Sequence, residues 1–141
     1  RLVLYFERRK NPKYLGLGPF FFLVSTFLTT LVFDNNIAVA AVLNLAIGDS
    51  VNALIGHFWR DDSWMAKMAN KKLNSKKRLE ASLAAAISTV IVALNYVTPV
   101  QAVIGAVATL GFEYSEPKLN GRKIDDNLII PTISGLLMSL V

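Results

Sequence analysis

The chain has no cysteine and only one histidine, His57, among its 141 residues. The first absence excludes disulfides, thiolate zinc sites and cysteine nucleophiles. The second excludes a His-cluster metal centre, including the two-His HExxH arrangement. Charge is scarce too: Asp, Glu, Lys and Arg make up 18% of the residues against 53% hydrophobic, a balance foreign to disordered chains. No GxxxxGK[ST] segment occurs, so a soluble P-loop mechanism is out. No signal-peptide pattern, internal repeat or low-complexity linker is present. The length suits one domain over residues 1–141. Because the chain opens on Arg1 with no Met, one or more preceding spans are expected to be missing from it.

Long uncharged stretches fill most of what remains. Residues 14–33 form a run of 20 without charge, enough at about 1.5 Å per residue to span a hydrocarbon core. Residues 37–58 form a second, interrupted only by Asp49 and His57, and residues 79–97 a third with Glu80 near its start. Residues 100–112 and 127–141 are shorter, at 13 and 15 residues. Beside three longer spans they read as packed or tilted membrane helices. The expected fold is therefore all-α, a polytopic membrane bundle of about five transmembrane helices.

The net charge of +5 is sorted along the chain. All 15 Lys and Arg fall in residues 1–13, 58–79 and 113–126, and the short connections at 34–36 and 98–99 hold none. Basic segments resist translocation, which puts those three on the cytoplasmic face and the two turns outside. A nucleic-acid partner is not expected, because the basic residues lack an aromatic stacking platform or a docking motif. The partner implied is a lipid bilayer. Local signals mark the boundaries. Thr98-Pro99-Val100-Gln101 reads as a capping box with proline at the first helical position. Asp34-Asn35-Asn36 reads as a tight polar turn. Pro131 marks either a kink or the first turn of the fifth helix.

Polar residues then stand where a membrane disfavours them. A carboxylate at Asp49, in the middle of the second helix, costs roughly 2.5–3.5 kcal/mol on insertion scales. It is expected to face an interior, a cavity, a cation or a partner. Gly48, Asn52 and Gly56 recur every four residues, either as a helix-packing stripe or as a binding face beside Asp49. Lys76, Lys77 and Arg78 open the third helix, where the macrodipole opposes cations and a phosphate would compensate them. Topology alone also accounts for that cluster. Glu80 follows as a partner for a nearby cation or a metal ligand. Glu113, Glu116, Asp125, Asp126 and Asn127 supply hard oxygens of the kind that suit Mg²⁺, while Asp126 serves equally well as an N-cap. Helix alternation brings Glu113, Asp126 and the loop after Asp49 to one membrane face.

Gly48-Asp49-Ser50 with Gly56, followed by Lys72-Leu73-Asn74-Ser75-Lys76-Lys77-Arg78-Leu79-Glu80-Ala81-Ser82, resembles the CTP-dependent lipid kinases. That family includes dolichol kinase, yeast-type diacylglycerol kinase and phytol kinase. Its members show a "GD(S/A)…G…G" helix, a basic loop and "KKSLEGS". Arg78 stands here for the usual Ser or Thr and Ala81 for the usual Gly, while Lys77, Glu80 and Ser82 are kept. Asp126-Asn127-Leu128-Ile129-Ile130-Pro131 looks like the family's closing "DN…(V/I)P" element, with Glu113 at the acidic position before it. The resemblance runs from about residue 7 to residue 141.

The resemblance implies phosphoryl transfer from CTP to the hydroxyl of a membrane lipid alcohol, with Mg²⁺ as cofactor, in a single integral-membrane catalytic domain. Asp49, Glu80 and Asp126 would be catalytic, and together with Glu113 would hold the metal. Lys72, Lys76 and Lys77 would hold the phosphates. Gly48, Ser50, Asn52, Gly56, Ser82 and Asn127 would complete the nucleotide site. Two other readings stand beside it. The related phosphatidate cytidylyltransferases also use CTP, but carry a His-Gly-Gly and an Asp-Arg pair that this chain lacks. A small transporter would use Asp49 as an ion or proton site, yet no inverted repeat is evident.

Overall fold

The computed structural model describes residues 17–58, 79–115, 118–119, 122–123 and 125–141. Among the described residues there are five helices: α1 (Leu17–Val32), α2 (Asn35–Phe58), α3 (Leu79–Ala93), α4 (Pro99–Ser115) and α5 (Asp126–Ser139). Each expected apolar run yields one helix. Among the described residues only α2 is long and apolar enough to cross a membrane, over Asn35–Ile55, whereas Leu17–Val32, Ala81–Ala93 and Pro99–Phe112 are shorter. The described residues are thus mainly helical as expected, but of the five transmembrane helices expected one has a full crossing length.

Local chemistry sets the helix ends. The Thr98 N–H donates to Gln101 Oε1 (3.1 Å) and the Gln101 N–H to Thr98 Oγ1 (3.4 Å), the reciprocal capping box expected before α4. α3 stops at Ala93, short of the expected residue 97. There the Asn95 amide donates to the Val92 carbonyl (3.0 Å), competing with the helical ladder, and Thr98 precedes a proline. Between α1 and α2 only residues 33 and 34 lie outside a helix. The Asp34 carbonyl accepts from the Ala38 N–H (2.8 Å), so Asn35 and Asn36 belong to α2 and not to the turn.

α5 starts one residue earlier than expected, and its N-cap is Asp125, not Asp126. The Asp125 carboxylate accepts from the Asn127 N–H at 3.1 Å. Pro131 lies in the interior of α5, which continues through it. Before α5, Lys118–Leu119 (β1) pairs antiparallel with Arg122–Lys123 (β2), in the register Lys118↔Lys123 and Leu119↔Arg122. This small ladder departs from the all-α expectation. Asn120-Gly121, the sequence between the strands, is a pair that favours tight hairpins.

α2 is the central element, packing against all four other helices and most extensively against α3. α1 packs on α5, α5 on α4 and α4 on α3. The surfaces that meet are small. Ala38, Ala40, Ala41, Ala81, Ala85, Ala93, Ala102 and Ala106 are buried, together with Ser25, Thr29, Asn44, Ser82, Thr89 and Ser134. Buried hydroxyls mostly satisfy themselves on their own helix, as Thr29 Oγ1 does on the Ser25 carbonyl (2.6 Å). Large apolar side chains point the other way. Phe20, Leu23, Phe27 and Leu31 on α1 are 56–67% exposed, and Leu83, Ile87 and Ile91 on α3 and Val103 and Val107 on α4 face outward too. Small and polar groups inside with bulky apolar groups outside is the reverse of the usual water-soluble pattern.

Two glycines set the closest approaches. A Cβ built on Gly105 would lie 2.5 Å from Asn44 Nδ2 and 2.8 Å from Met138 Sδ. One on Gly135 would lie 2.7 Å from the Phe33 ring. Only glycine lets α4 meet α2 and α5, and α5 meet the end of α1, at these distances.

Candidate functional site

The helix directions give the bundle two unlike ends. Asn44 and Met138 meet Gly105, Thr89 and Thr109 meet Gly48, and Asn127 lies against Gly18, which fixes how the helices run past one another. One end, the turn end, carries residues 33–34, residues 94–98 and the close of α5. The other, the loop end, carries the start of α1, the end of α2, the start of α3, the end of α4 and the start of α5.

Packing differs between the two. Near the turn end Ala40, Ala41, Ala93, Ala102 and Met138 form a closed cluster with Ile37, Val90 and Val97 around it. The Gln101 amide donates to the Met138 carbonyl (3.0 Å) and ties α4 to α5. Toward the loop end none of residues 49–55 of α2 is buried, residues 125–129 are half-buried, and a Cβ on Gly111 would meet nothing within 4 Å.

The expected site residues distribute as follows. Asp49 is exposed, nine residues before the end of α2, or about 13 Å along the axis. It does not pack into the interior. Gly48 beside it is buried, and its Cβ position lies 3.6 Å from Thr89 Cγ2, so it belongs to the helix packing and not to an open binding face. Ser50 is exposed, with its hydroxyl donating to the Ala46 carbonyl (2.7 Å). Asn52 is half-buried. Ser82 is fully buried on the face that α3 turns inward, and its hydroxyl has no hydrogen-bond partner. Asp126 and Asn127 form the first turn of α5, with the Asn127 amide against Gly18. Glu80 is the second residue of α3 and Glu113 the third from the end of α4, which puts both backbones at the loop end. Their side chains, and that of His57 and the position of Gly56 beyond its backbone, lie outside the described part. Lys72, Lys76 and Lys77 lie outside the described residues altogether.

The loop end thus gathers the backbones of Glu80, Glu113, Asp126 and Asn127, with Asp49 deeper along α2. Among the described residues no three carboxylate or imidazole groups come together as a metal cluster. The donors themselves are oxygens, the class that suits Mg²⁺.

One polar residue has no role in the sequence reading. Asn44 is fully buried where α2, α4 and α5 meet, and neither atom of its amide has a partner. It precedes Gly48 by one turn on the face that continues to Asn52, and that spacing was the signal available. No protein-family model, curated protein or solved structure matches the chain.

Proposed function

We propose that the chain is the membrane-embedded core of a CTP-dependent lipid-alcohol kinase, a polytopic bundle with its chemistry at the loop end. The observation that carries this reading is a coincidence of motif and topology. The described residues of the kinase-like pattern fall on the second half of α2, the opening of α3 (residues 79–82) and the opening of α5, all toward one end. The inverted sorting of side chains supports insertion of the whole bundle in a membrane, since lipid offers bulky apolar groups a solvent as good as a core. All Lys and Arg fall in segments that precede or follow the loop-end helix termini in sequence, which supports a cytoplasmic loop end.

Phosphoryl transfer needs charge neutralisation and alignment more than covalent chemistry. Lys72, Lys76 and Lys77 bind the phosphates of CTP. Asp49, Glu80, Glu113 and Asp126 are the oxygens that would hold Mg²⁺, whose chemistry is to offset charge on the transferring group. The lipid hydroxyl attacks the γ-phosphorus and the bond from that phosphorus to the β-phosphate oxygen breaks. CDP leaves, and a carboxylate takes the hydroxyl proton. Asn127 and Asn52 add hydrogen bonds to the nucleotide, whereas the buried Ser82 lies within the helix packing.

Incubation with CTP labelled at the γ-phosphate, across a panel of lipid alcohols, tests this. Label in the lipid is the expected result. Label in pyrophosphate would assign the chain to the cytidylyltransferase reaction, and no CTP turnover with Mg²⁺ would favour a transporter.

A further inference from the structure

We draw no further inference here: the strongest candidate, the unpartnered amide of Asn44 buried where α2, α4 and α5 meet, has no surface open to a ligand even of the size of water, and nothing in the structure shows what would pair with it.

Discussion

The two ends of this bundle are built from the same kinds of helix and packed in opposite ways. At the turn end, connections are short, alanines and glycines bring backbones together, and Gly105 and Gly135 leave no space for a methyl group. At the loop end α2 has no buried residue after Gly48 within the stretch to residue 55, and a methyl on Gly111 would meet nothing. The acidic and amide residues of the kinase-like pattern lie toward this second end. A closed end that holds the helices and an open end that offers polar groups is a division of labour, and each half of it can be attacked separately.

The largest effect is expected at the open end. Asp49→Ala is expected to lower CTP-dependent phosphorylation of lipid alcohol by about a hundredfold or more, with insertion and thermal unfolding unchanged because the side chain is exposed. Retained activity would remove Asp49 from the chemistry. At the closed end, Gly105→Ala puts a methyl 2.5 Å from Asn44 Nδ2 and is expected to destabilise by about 1–3 kcal/mol, read as a lower unfolding temperature in detergent. Gly111→Ala, the same change in the open region, is expected to stabilise by about 0.5–1 kcal/mol through helix propensity alone. If the two alanines behaved alike, the contrast in packing would not exist. The caps give the smallest effects. Thr98→Ala at the turn end and Asp125→Ala at the loop end are each expected to cost about 1 kcal/mol, and their difference reports how far each end frays in the native state.

Much of the fold was legible because its signals are local. Five apolar runs became five helices, and the four residues from Thr98 to Gln101 made the capping box their chemistry calls for. Errors arose where two neighbours offered the same chemistry. Asp125 and Asp126 are both competent caps, and it is Asp125 that holds the extended backbone of an N-cap (φ −73°, ψ 127°) while Asp126 is already helical. The early end of α3 depends on one Asn95 amide reaching back to Val92. The site was legible as a set of residue types and a common end. Burial was not, because it depends on which face each neighbouring helix covers. That is why Gly48 lies inside the packing and Asp49, next to it, lies outside. Asn44 passed without a role for the same reason, since its isolation follows from three helices meeting around it.

Hydrogen–deuterium exchange of the protein in nanodiscs, with and without CTP and Mg²⁺, tests the division most directly. The expected result is slow exchange near the turn end that nucleotide leaves unchanged, with protection appearing at the end of α2 and in the first turns of α3 and α5. Protection confined to the turn end, or no change anywhere with CTP present, would contradict it.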